Sequence, residues 1–239
     1  MSYDYDYYEK QKMVYPSADS LFFGRVIPTI VLGLAVWVFG IIIIGPDLLV
    51  NNPSIFFIGI FAYIIMWIAT IIIAAKGSNE AAFVLFLGTS AVSGVLTTPL
   101  FVWGAMMVGL ELGFQIGIIS IAAALTGTTV MGFAGYRNRH NQELAASLGS
   151  FLFWGVIATI IFEVVAFFIF AANYSFIFFI TSIIMIWLML IYAFYDGQRL
   201  RSMLDNGLWM YAVAMFFIDI IILTTRIFYV LIYLIAGDR

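Results

Sequence analysis

Seven apolar stretches, each long enough to cross a lipid bilayer, follow one another from residue 22 to residue 236. A helix needs about 20 apolar residues to span the hydrocarbon layer. The stretches at 22–45, 54–75, 81–103, 112–135, 147–172, 174–196 and 208–236 meet that length. In lipid the backbone must satisfy its own hydrogen bonds, and unbroken apolar runs of this length do so as helices. Breaks fall at Gly45-Pro46-Asp47, Lys76 to Glu80, Trp103-Gly104, Tyr136 to Glu143, Ala172-Asn173 and Gly197 to Gly207. Connections this short make successive helices neighbours. The chain therefore reads as an all-α polytopic membrane protein, with a tail at 1–21 and one seven-helix transmembrane domain at 22–239.

With 64% hydrophobic and 10% charged residues, the 239-residue chain cannot cover a globular surface in water. A formal net charge of −3 supplies no basic field for nucleic acid, and the absence of cysteine excludes disulfide and thiol chemistry. The tail carries Asp4, Asp6, Glu9 and Asp19 among tyrosines, unlike a cationic signal or transit peptide, and reads as a short, partly disordered cytosolic segment. Lys10, Lys12, Arg25, Lys76, Arg137, Arg139, Arg199 and Arg201 all fall on the N-terminal face, whereas Arg239 stands alone on the other. The positive-inside rule then places the N-terminus in the cytosol and the C-terminus outside or in the lumen; a cell membrane, plasma or inner, is the expected location. Small residues such as Gly88, Ser93 and Gly94 in the third run, and Ala124, Gly127, Gly132 and Gly135 in the fourth, mark close helix contacts. Pro99 is expected to loosen the third helix near its end.

Charged groups inside the runs demand an account. Asp219 lies about eleven residues into the last run, flanked by Phe216, Phe217, Ile218 and Ile220 to Ile222. An acid at that depth costs about 2.5–3.5 kcal/mol, so it should face the bundle and have a partner. Asp196, which closes the sixth run, is the candidate; touching acids would share a proton and titrate as a pair. The competing expectation is a solvated helix end at Asp196, paired with Arg199. Glu163 and Arg226 lie at similar depths in the fifth and seventh runs and can form a buried ion pair. His140, among Arg137, Asn138 and Arg139, reads as a solvated loop residue. No cluster has metal-ligand spacing, no glycine loop cradles phosphate, and no catalytic constellation stands out, so an enzyme is not expected.

Two intramembrane acids also occur in intramembrane aspartyl proteases, whose Tyr-Asp matches Tyr195-Asp196. Their Gly-x-Gly-Asp does not match, because Phe216 and Ile218 fill the glycine positions and no Pro-Ala-Leu follows. A retinal-binding protein needs a lysine in its last helix, and residues 207–239 contain none. Val92-Ser93-Gly94 followed by Pro99, Ala123-x-x-Thr126, Tyr195-Asp196 and Phe217-Ile218-Asp219-Ile220-Ile221, in that helix order, resemble the transmembrane BAX inhibitor motif family. The resemblance implies two three-helix layers around a central C-terminal helix. It further implies a pH-sensitive calcium leak gated by a cytosol-facing latch of Asp196 and Asp219, which would hold Ca2+ in transit without any cofactor. Lys76 matches a position usually held by arginine, and with Arg199 it would support the latch. Ile65 stands where some bacterial relatives carry an acid, and Ile222 where asparagine is common. Relatives are associated with stress and cell-death suppression, and bacterial ones with a membrane-bound AAA protease. The alternative is therefore a non-transporting regulator of such a protease or of a death factor.

Overall fold

The computed structural model describes residues 17–46, 55–138, 142–169 and 174–237. The acidic residues of the tail before Asp19, Asp47, Arg139 and His140 lie outside them. Among the described residues there are seven long helices and no strand. The first, α1, is α-helical at Ala18–Leu21 and Ile27–Phe39 and π-helical at Phe22–Val26 and Gly40–Ile44. The others are α2 (Ile55–Ala75), α3 (Asn79–Val108), α4 (Leu110–Arg137), α5 (Gln142–Ile169), α6 (Tyr174–Asp205) and α7 (Trp209–Ala236). All seven are long and apolar enough to cross a membrane.

The helices form two layers of the same plan. In the first, α3 lies between α1 and α2; in the second, α6 lies between α4 and α5. Between the layers runs α7, which packs against α1, α2, α3, α4 and α6 and is the most buried helix of the seven. Lipid gives helices no hydrophobic reason to associate, so the layers rest on close backbone approach. A Cβ on Gly94 of α3 would run into the Trp37 carbonyl of α1, and one on Gly135 of α4 would run into the Phe194 carbonyl of α6. Hydroxyls on these helices mostly bond back to their own turn, as Ser90 does to Phe86 O (2.8 Å) and Ser120 to Ile116 O (2.8 Å). The expected contact role of the small residues is thus met by geometry.

One hydroxyl does more. In the second π-helical segment the Gly45 N–H bonds to Gly40 O, and Pro46 has no N–H, so Ile41 O is left without a donor from its own helix. Thr98 of α3 supplies one at 3.3 Å. Pro99 sits next to it, and α3 continues past it to Val108.

Four expected boundaries move: α1 begins at Ala18, inside the expected tail, α5 begins at Gln142 and not at 147, and two helix ends shift. Trp103-Gly104 is no break: α3 runs on to Val108 and turns at Gly109, whose φ of +93° only glycine adopts readily. Gly104 makes room for Phe228 instead, whose ring would lie 2.5 Å from an added Cβ. The sixth helix does not end at Asp196; it continues nine residues to Asp205 and stops at Gly207, with φ +71°. There the Gly207 N–H bonds to Leu204 O (2.9 Å) and the Leu208 N–H to Met203 O (2.8 Å), a Schellman stop. Lys76-Gly77-Ser78 ends α2 in the same way.

Candidate functional site

The extension of α6 changes where Asp196 lies. It is nine residues before the end of α6 at Asp205, and Asp219 is ten residues after the start of α7 at Trp209. In a helical hairpin, residues equally far from the turn lie at equal depth, here about 14–15 Å from it. Had α6 ended at Asp196, that acid would have lain near the interface and well short of Asp219; the nine further residues bring the two level. Both acids are buried, at 0% and 2% exposure. They interact electrostatically with each other, and the Tyr192 hydroxyl on α6 interacts with both.

Asp196 is therefore not the solvated helix end that was the competing expectation. Arg199 is near enough to act on it electrostatically. Its guanidinium, however, donates to the Tyr195 hydroxyl at 3.2 Å, lies 5.3 Å from that ring, and bonds Tyr211 of α7. Arg199 thus stitches α6 to α7 one turn below the acids. Among the described residues, neither Asp196 carboxylate oxygen and not the Asp219 Oδ2 has a hydrogen-bond partner. Buried polar atoms are paired in most folds; among the described residues these carboxylate oxygens are the charged ones left open, beside neutral atoms of Trp37, Thr128, Gln198, Trp209 and Thr224.

Glycine permits this arrangement. Gly197, next to Asp196, faces the Gly132 carbonyl of α4 so closely that a Cβ would collide with it. Gly132 in turn faces the Phe216 ring of α7, 2.9 Å from where its own Cβ would be. Phe216 is three residues from Asp219, so α4 presses the two acid-bearing helices together from behind.

Lys76, the other expected support, is exposed in the turn after α2. The residue that joins this turn to the acid-bearing hairpin is Asn79, which sequence reasoning missed. Its Nδ2 donates to Gly207 O (2.9 Å), and its Oδ1 accepts from the Met210 N–H (3.2 Å). Leu208, at the N-cap of α7, offers no side-chain cap of its own, so α7 is capped by another helix. A polar residue just after a glycine stop reads locally as a cap for its own helix, and nothing nearby in sequence points 128 residues away.

A second charged pair occupies the half of the molecule remote from these turns. Arg226 donates to both oxygens of Glu163, Nη1 to Oε1 at 2.5 Å and Nη2 to Oε2 at 2.8 Å. Nη1 also lies 3.3 Å from Ser182 Oγ, and the guanidinium carbon sits 4.6 Å from the Phe178 ring centre. Side-chain exposures of 13% and 11% make this a largely desolvated, bidentate pair.

Among the described residues no three His, Cys, Asp or Glu side chains cluster as metal ligands. Two carboxylates and a tyrosine fall short of the six to eight oxygens, roughly, that a resident calcium ion takes. A family model described as inhibitor of apoptosis-promoting Bax1 matches residues 19–235, which is all seven helices. Comparison with curated proteins finds none that matches. With seven spans in two layers about α7 and the motif residues in their helix order, the chain belongs to the transmembrane BAX inhibitor motif family.

Proposed function

We propose that this membrane protein is a pH-sensitive calcium leak, with Asp196 and Asp219 as the latch between α6 and α7. The observation that carries this reading is the pair of buried carboxylates at matched depth, with both Asp196 oxygens and the Asp219 Oδ2 lacking a hydrogen-bond partner among the described residues. Protons and divalent cations compete for such a pair. A shared proton lets the two helices stay together; two bare charges push them apart or call in a cation. Because two carboxylates coordinate calcium incompletely, the ion passes and does not reside. The positive-inside pattern directs the latch toward the cytosol. In this reading the acids perform no hydrolysis, and the protein serves calcium balance under stress.

Purified protein in calcium-loaded liposomes tests the proposal. Flux should vary with pH in the unaltered protein, and Asp196→Asn and Asp219→Asn should each flatten that dependence. Unaltered pH dependence in both variants sinks the latch. No flux at any pH sinks the leak and leaves the alternative, a regulator acting by contact with a membrane AAA protease or a death factor.

A further inference from the structure

Arg226 follows Asp219 by seven residues, two turns along one face of α7 and about 10 Å further from the Gly207 turn. Leu223 lies between them on that face and is fully buried. The α6–α7 seam that holds the acids thus runs on toward Arg226. There it meets a different kind of structure.

The Arg226 guanidinium is held on its forked edge and on one face, with 13% of the side chain still exposed. Glu163 of α5 takes its forked edge, Ser182 of α6 its Nη1, and the Phe178 ring of α6 its face. One helix turn beyond, the Tyr229 hydroxyl donates to Ser175 O at 2.9 Å, and its ring stacks on Trp103 of α3 (5.2 Å) with Phe178 edge-on (4.5 Å). Three helices, α3, α5 and α6, therefore converge on two consecutive turns of α7. Glu163 is the unusual contributor, because α5 packs along α6 and makes no extended contact with α7. Its carboxylate reaches across α6 to Arg226, and the ion pair is the strap that holds α5 over the seam.

A buried cation above an acid pair has a directional consequence. With the strap closed Glu163 neutralises Arg226, so the pair bars cations moving along the seam by filling it; with the strap open the bare Arg226 charge would repel them. We propose that Glu163 and Arg226 close the α6–α7 seam on the C-terminal side, so that the acid pair is reached from the side of the Gly77 and Gly207 turns alone. This rests on the leak reading for its purpose, though the closure itself can be measured without any ion flux.

The chain has no cysteine, so Leu223→Cys introduces one thiol between the acids and the strap. The full-length protein in sealed vesicles is treated from the C-terminal side with a membrane-impermeant maleimide. With the native pair the thiol should react slowly. Glu163→Gln or Arg226→Gln in that background should speed the reaction at least tenfold. The exchanged pair Glu163→Arg with Arg226→Glu should return it toward the slow rate, and Arg226→Lys, which keeps the charge but loses the fork, should fall between. Fast reaction with the native pair overturns the closure, as does a rate unchanged by every variant. Where a single variant does not fold, the native-pair measurement and the lysine variant still decide. A changed labelling rate in a protein that conducts no calcium keeps the closure and discards the leak; pH-dependent flux with unchanged labelling does the reverse.

Discussion

Asn79 commits both ends of one carboxamide to the backbone of another hairpin, and that makes its value open to measurement. Replacing it with alanine removes the only side-chain cap seen at the start of α7 and leaves Gly207 O without its donor. The expected loss is on the order of 1–2 kcal/mol, as for other N-caps, seen as a lower unfolding midpoint in detergent. Asn79→Asp keeps the acceptor for the Met210 N–H near a helix N-terminus but turns a second acceptor oxygen toward Gly207 O, which needs a donor. A loss smaller than that of alanine would show that the bond to Met210 carries most of the contribution; a loss as large or larger would show that the bond to Gly207 O does. At the same scale, sequence alone indicates that Asp219 is buried, because its depth in an apolar run is a matter of counting. Depth likewise makes Glu163 and Arg226 candidates for each other. Asn79 is invisible in this way, since its role depends on a fold that brings the two turns together.

Glycines decide how the helices meet, and sequence does not say which glycine stops a helix and which one packs. Gly104 and Gly197 read as breaks because each stands at the end of an apolar run; both are helical and both make room for a neighbour. Gly77, Gly109 and Gly207 are the true stops, with φ of +81°, +93° and +71°. The charged residues after Gly197 mislead for a related reason. Arg199, Arg201 and Asp205 leave the apolar pattern, but they are compatible with helix, and α6 keeps its hydrogen bonds as it continues past the run. Gly197→Ala is expected to force α4 and α6 apart and cost about 1–3 kcal/mol or more, as overpacking does. Gly24→Ala, with nothing within 4 Å of its added methyl, serves as the control and should be neutral or mildly stabilising. Thermal unfolding of the two variants side by side checks this. Comparable behaviour would show that α4 and α6 adjust at no cost.

The whole molecule is two three-helix layers with a seventh helix between them, and its charges are placed by that plan. Seven spans could be counted from hydropathy, because bilayer thickness sets their length. The layers could not, since apolar helices of similar composition offer no local sign of who packs on whom. Here the family resemblance supplied the arrangement, and the described helix contacts agree with it. The Glu163–Arg226 strap tests the unity of this arrangement. Glu163→Gln alone abandons a buried guanidinium and should be more destabilising, by several kcal/mol, than Glu163→Leu together with Arg226→Leu, which removes both charges. If the double replacement unfolds at the lower denaturant concentration, the pair is an ordinary stabilising contact. The central position of α7 also has a consequence for biosynthesis. Of the seven helices, the one between the layers is the last to leave the ribosome. The first six are made before it, so Phe86 waits for the Phe217 ring of α7 that it meets edge-on at 4.8 Å. Arrival of the final segment, bearing an acid and an arginine, then brings Asp219 to Asp196 and Arg226 to Glu163, so both charged pairs form only when the last helix is in place.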